Sequence, residues 1–170
     1  TEIGNTGVNR EDVESRRVFA NGFLVHEMPH ASNWRSQSEL AAYLIEAGVP
    51  ALAGIDTRAL TTLLRQHGTL KGMIVADPQE HAPEDAAGQA KDWEGLDGLD
   101  YAARVTCGEP FEWDPDATIS SSWGFDVTLP EPDLHVVAVD YGIKSNILRR
   151  LRHLGMRVTV VPAATSAEDI

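Results

Sequence analysis

Residues 134–161, LHVVAVDYGIKSNILRRLRHLGMRVTVV, decide the fold. Val136, Val137, Ala138 and Val139 form a short continuous apolar run, the pattern of a strand covered on both faces. Asp140, Tyr141 and Gly142 supply a tight turn. Ile143, Ile147, Leu148, Leu151 and Leu154 then recur at helical spacing and predict one apolar stripe. Gly155 stands where a left-handed residue ends a helix. Arg149, Arg150, Arg152 and His153 place positive charge near that end, where the helix dipole favours it. Arg157–Val161 is a second β-rich run. Together they predict a strand–helix–strand unit of the kind that opens a parallel sheet. A two-stranded parallel sheet cannot cover itself, so the stretch reads as the start of a domain whose remainder lies outside the sequence.

The flanks agree. Thr165 and Glu168 have capping-box spacing, so a further helix is expected to begin there. Upstream, Pro130-Glu131-Pro132-Asp133 reads as a stiff acidic linker. The expected division is a first domain over 1–129, a linker at 130–133, and a truncated second domain over 134–170. The chain opens on Thr-Glu-Ile-Gly, which reads as the middle of a longer chain whose first strands are missing.

Within residues 1–129, Val18–Met28 is strand-like, with Asn21-Gly22 as a hairpin or bulge signal. Ser36–Ala47 is expected to be a helix, with Ser36 and Glu39 as a capping box and Leu40, Tyr43, Leu44 and Ala47 inside. Val49–Ile55 and Thr69–Ala76 read as strands around a helix over Asp56–His67. That helix has Asp56 as its N-cap and Leu60, Leu63 and Leu64 facing inward. The three are expected to form a right-handed crossover. Asp77–Asp92 reads as a polar loop or loose helix, and 99–104 as a short helix. Arg104–Cys107, Phe111–Trp113 and Trp123–Leu129 read as further strands, and Pro115–Ser122 as flexible surface.

The totals exclude several classes. The 170 residues include 26 acidic and 14 basic side chains, a net charge of −12, which argues against a nucleic-acid partner. No apolar run approaches the ~20 residues of a membrane span. Cys107 is the only cysteine, so no internal disulfide forms, and the reading is of a cytoplasmic protein.

Chemistry is sparse. Cys107 sits in VTCGEP with no helix behind it, unlike a nucleophile on a strand-to-helix elbow. The six histidines show no i, i+4 pair and no HExxH, so no metal site is expected. The IGNTGVN loop at 3–9 lacks both the P-loop lysine and dinucleotide-fingerprint spacing, and reads as a structural or interface loop. Asp140, Lys144 and Asn146 surround the turn at the sheet edge where α/β proteins hold ligands, but one glycine and one lysine do not make a phosphate site. Trp34 beside Arg35 reads either as an interface anchor or as a tryptophan folded onto the core.

Several segments in order resemble one family, the small, glutamine-hydrolysing subunit of carbamoyl-phosphate synthetase. They are IGNTGVN (3–9), ASNWR (31–35), GIDTRALTTLLRQHG (54–68), KGMI (71–74), HVVAVDYGIKSNILRRL (135–151) and VTVVPAATSAED (158–169). Trp34 stands where the family pattern leads one to expect Phe, and residues 77–133 carry little of the resemblance. The resemblance implies an α/β chain: a swivelling β/β/α N-terminal domain, then the first βαβ of a flavodoxin-like class I glutamine amidotransferase domain. It implies a catalytic Cys, His and Glu beyond Ile170, so that no catalytic residue, cofactor or metal belongs to these residues and Cys107 is not the nucleophile. It implies glutamine as substrate of the intact subunit. The partner is then the large synthetase subunit, where ATP and metal bind and where bicarbonate and ammonia become carbamoyl phosphate for arginine and pyrimidine synthesis. Asn5, Asn9, Trp34, Arg35, Asp56 and Arg58 are the interface candidates. A stand-alone α/β ligand-binding or interaction module is the alternative.

Overall fold

The computed structural model describes residues 2–77, 79, 81–123 and 127–170. It is a mixed α/β chain that divides into two compact units. The first comprises the residues up to Arg10 with Val18–Gly98, and the second comprises Glu11–Arg17 with Leu99–Ile170.

In the first unit, strand β1 (Phe23–Leu24) leads through a long loop to helix α1 (Leu40–Glu46), strand β2 (Ala51–Leu52) and helix α2 (Thr57–His67), and then to helix α3 (Pro83–Asp92). β1 and β2 pair in parallel, Phe23 with Ala51 and Leu24 with Leu52. The core is small: Val25, Leu44, Val49 and Ala86 are its buried apolar residues among those described.

Several expectations are corrected here. The Ser36–Glu39 capping box does not form. Glu39 is itself the N-cap of α1, and its carboxylate accepts the Ala31 N–H at 2.9 Å, so the helix starts later than the spacing suggested. Asn21-Gly22 makes no hairpin, because β1 pairs in parallel with a distant strand. Gly22 is instead a close-approach position, where a Cβ would come within 2.4 Å of Ile74 Cδ1. Residues 69–76 form no strand, so no crossover is built on α2. Gly72 interrupts that run, and Lys71 is drawn away to the C-terminal end of α3, where its ammonium donates to the carbonyls of Lys91 (3.0 Å) and Trp93. Residues 83–92 are helical, started by Pro83 in the first turn.

The second unit runs through helix α4 (Tyr101–Val105), strand β3 (Phe111–Glu112), helix α5 (Thr118–Ser121), strand β4 (Leu134–Asp140), helix α6 (Ser145–His153) and strand β5 (Met156–Pro162). The expected strand–helix–strand unit is present: β4 and β5 pair in parallel from Leu134–Met156 to Asp140–Pro162. β3 adds to the other side of β5, antiparallel, giving the order β3-β5-β4. A strand from before residue 130 thus completes part of the sheet that the sequence pattern left two-stranded. Leu148, Val158 and Val160 form the core, with Cys107, Trp113, Ala138, Ile143, Leu151 and Met156 packed around them. Gly155 follows α6 with φ +77°.

The α6 stripe is narrower than expected. Leu148 is buried, but Ile147 is 51% and Leu154 is 69% exposed. Arg149 and Arg152 are buried instead. Arg149 and Arg150 lie over the Trp123 ring at 5.7 and 5.0 Å, so their cations rest on an aromatic face rather than simply answering the helix dipole. Arg152 donates to the Pro130 carbonyl at 2.8 Å and Asp133 N–H to the Gly155 carbonyl at 3.1 Å, which fastens residues 130–133 to the end of α6.

Arg104–Cys107 is not a strand, since Arg104 and Val105 end α4. Residues 115–122 hold α5 and a fully buried Ser120. The strand expected over 123–129 falls partly on residues 124–126, outside the described residues, and Trp123 and 127–129 are not strand. After β5, Thr165 N–H and Ser166 Oγ make turn bonds to Pro162 O and the Asp169 carboxylate.

Candidate functional site

The end of β4 holds the most concentrated polar chemistry of the second unit. Asp140 is buried, 7% exposed. Its Oδ1 accepts the N–H groups of Gly142 (2.8 Å) and Ile143 (2.9 Å), and its Oδ2 accepts that of Cys107 (2.7 Å). Burial alone would raise this carboxyl, but the Ile143, Gly142 and Cys107 N–H groups together outweigh it and hold Asp140 below the ordinary carboxylate value. The Cys107 thiol moves the other way, pushed up by burial and then by the Asp140 charge. A nucleophilic cysteine needs the opposite environment, one that favours the thiolate.

Glu14 is the residue that sequence reasoning missed. It lies far from α6 in the chain, yet its carboxylate accepts the Asn146 N–H at 3.0 Å and the Asn146 side-chain amide. Its carbonyl accepts from Ser145 N–H at 3.0 Å and Ser145 Oγ at 3.2 Å. Asn146 Oδ1 in turn accepts from Arg149 at 2.6 Å. An acid at a helix N-terminus is favourable electrostatically, and here it arrives from a distant segment that local periodicity cannot reveal. The edge that looked open for a ligand is therefore occupied by the chain's own groups. Lys144 stands at the N-cap position and makes no side-chain cap bond.

In the first unit, four of the six interface candidates gather on one loop platform. Asn5 accepts from the Ser32 hydroxyl through its side chain and from Ser32 N–H (2.8 Å) through its carbonyl. Asn9 Nδ2 donates to the Arg35 carbonyl at 3.1 Å, and Val8 and Ser38 form an antiparallel bridge. Gly7 makes this docking possible. Its φ is +71°, and a Cβ there would sit 2.0 Å from Ser36 Oγ and 2.9 Å from Ala31 Cβ. Asn33 Oδ1 accepts the Arg35 N–H at 2.9 Å and its carbonyl the Ser36 N–H at 3.0 Å. Between these ties Trp34 is 89% exposed, so of the two readings of this residue the structure takes the outward one.

Asp56 and Arg58 stand apart, on α2. Asp56 caps that helix by accepting the Ala59 N–H at 2.9 Å, as the sequence predicted. Arg58 lines an open groove of about 210 Å³ with Thr57, Thr61, Thr62 and Arg65. Among the described residues, no group of three or more His, Cys, Asp or Glu side chains could hold a metal, and no helix is long and apolar enough to cross a membrane.

Known proteins resemble this chain along nearly its whole length. Residues 1–74 match the family model described as carbamoyl-phosphate synthase small chain, CPSase domain. The carbamoyl phosphate synthase small chain of Ralstonia nicotianae is 45% identical over 172 residues, covering 98% of this chain and 43% of the relative. Those of Halomonas eurihalina and Acinetobacter baylyi are 44% and 46% identical, each over 99% of this chain and 45% and 44% of their own lengths. Over nearly its whole length the chain is similar to carbamoyl phosphate synthase small chains. It spans somewhat under half the length of these relatives. The matched CPSase domain takes in all six interface candidates, from Asn5 to Arg58, and leaves Asp140 and Cys107 outside it. Similarity to carbamoyl phosphate synthase small chains thus extends well past the domain-model match, across the 77–133 stretch where the motif resemblance was thin.

Proposed function

We propose that this chain acts as part of the glutamine-hydrolysing small subunit of carbamoyl-phosphate synthetase. That subunit releases ammonia from glutamine and passes it to the large subunit, which makes carbamoyl phosphate from bicarbonate and ATP in the cytoplasm. ATP and metal belong to the large subunit, and the product serves arginine and pyrimidine synthesis. In this reading 1–129 is the swivelling β/β/α docking domain by sequence, 130–133 the linker and 134–170 the opening βαβ of a flavodoxin-like amidotransferase domain, with residues 99–129 lying in the same compact unit as 134–170 and lending β3 to its sheet. The observation that carries this reading is identity of 44–46% to small chains over nearly the whole chain. The site geometry agrees with it. Burial and the Asp140 charge hold the Cys107 thiol up, which suits a packing residue and not a nucleophile.

The role of these residues is then to dock, and Trp34 is the anchor. A rigid loop that presents one exposed tryptophan has the form of an interface hot spot. The test is co-purification with the large synthetase chain. Wild-type chain is expected to bind it, and Trp34→Ala to weaken binding by about 2 kcal/mol, the scale of such anchors. The 170 residues alone are expected to show no glutaminase activity. Activity that disappears in Cys107→Ser would overturn the assignment.

A further inference from the structure

Helix α2 is the least covered helix of the first unit. It runs for 11 residues and buries none of them. Leu63 is 44% and Leu64 39% exposed. Leu60, Leu63 and Leu64 lie on the side of the helix away from Arg58 and Arg65, whose own face is polar. Its charge is also unlike its surroundings. From Thr57 to Ala76 the sequence has no acidic residue, in a chain that carries 26.

Arg58 and Arg65 are two turns apart, about 10 Å along the axis, and project to the same side. Among the described residues neither forms an ion pair with a carboxylate. Between them lies the open groove lined by Thr57, Thr61 and Thr62. The Thr61 and Thr62 hydroxyls donate to the carbonyls of Thr57 (2.7 Å) and Arg58 (3.0 Å), so the middle of the groove is neutral and the positive charge stands at its two ends.

We infer that this face of α2 is a docking groove for an acidic segment of the large synthetase chain, with two carboxylates about 10 Å apart meeting Arg58 and Arg65. This rests on the functional reading above and names the surface and the partner chemistry. A single small anion does not bridge two guanidinium groups so far apart. A nucleic acid would carry its phosphates across the rest of a surface whose net charge is −12. A short acidic protein segment touches the groove alone.

The experiment measures binding of the large chain to this chain at low and high salt, for wild type, R58E/R65E and R58K/R65K. Both side chains are exposed, so the helix content seen by circular dichroism stays at the wild-type level in all three. Wild-type binding weakens as salt rises. The R58E/R65E variant binds at least about tenfold more weakly at low salt with a flatter salt dependence, and R58K/R65K retains most of the affinity. If wild type binds and R58E/R65E binds equally well, the groove is not the docking face and the functional reading stands. If wild type does not bind the large chain at all, both fall together. If the wild-type chain self-associates in sedimentation and R58E/R65E abolishes this while large-chain binding is unchanged, the occupant is a second copy and the inference is overturned.

Discussion

Helices α2 and α6 differ first in what lies behind them. α6 rests on β5, which is paired on both sides, and it buries Leu148 against Val158 and Val160. α2 follows a two-residue strand and buries nothing. Both have an apolar stripe, and both meet an acidic group at the first turn: Asp56 from the adjacent residue for α2, Glu14 from far away for α6. The difference teaches that an amphipathic stripe states a need for burial, and the neighbouring sheet determines whether the same chain meets it. Where the sheet is long the helix becomes core. Where it is short the helix stays available to another molecule.

The sharpest way to break this contrast is Leu148→Ala. The side chain is 2% exposed and sits in the buried cluster with Val158 and Val160, so the loss is expected at about 2–5 kcal/mol in chemical denaturation of the second unit. A loss below ~1 kcal/mol would mean that α6 is no better seated than α2.

Asp140→Asn comes next. It removes a carboxylate that satisfies three N–H groups, at about 1–3 kcal/mol for the buried donors left badly paired. The sign of the pH effect follows from its depressed value. The stabilisation is fully present above the unfolded carboxylate value of about 3.9 and is lost as pH falls through the lower folded value. An acid titration of stability is therefore expected to be shallower in the Asn variant than in wild type. Identical acid limbs would count against the carboxylate.

Asp56→Ala removes the α2 cap and is expected to cost about 1 kcal/mol, read as lost helicity near 222 nm by circular dichroism. Leu63→Ala is the smallest change, within about 0.5 kcal/mol, because the residue is 44% exposed and α2 buries none of its residues. A large effect there would show that α2 is covered in solution.

The strand–helix–strand at 134–161 was legible because every local signal agreed: apolar run, turn, stripe and terminal glycine. The α2 boundaries were legible for the same reason, with Asp56 before the helix and Gly68 after it. What failed was anything that depends on a distant partner. Ser36 and Glu39 have capping-box spacing, but Glu39 is taken by Ala31. Thr69–Ala76 has strand composition, but Lys71 is held at the end of α3. The strand read at Phe111–Trp113 does form at Phe111–Glu112, but its pairing with Val160 and the reach of Glu14 to α6 depend on distant partners that local periodicity does not name. Of the interface candidates, Asp56 revealed its cap, whereas the exposure of Trp34 depends on Gly7 admitting the neighbouring loop, which no composition signal discloses.

The sheet order β3-β5-β4 leaves β4 on the rim. Among the described residues its outer side has no strand beside it, and this unpaired edge carries the half-buried Val136–Val139 with no charged side chain between His135 and Asp140. Natural proteins commonly guard such a rim with lysine, proline or a bulge. A concentrated solution of these 170 residues should therefore begin to stick there, chain to chain, and a lysine at an outward position of β4 is the change to try first for keeping the sample in solution.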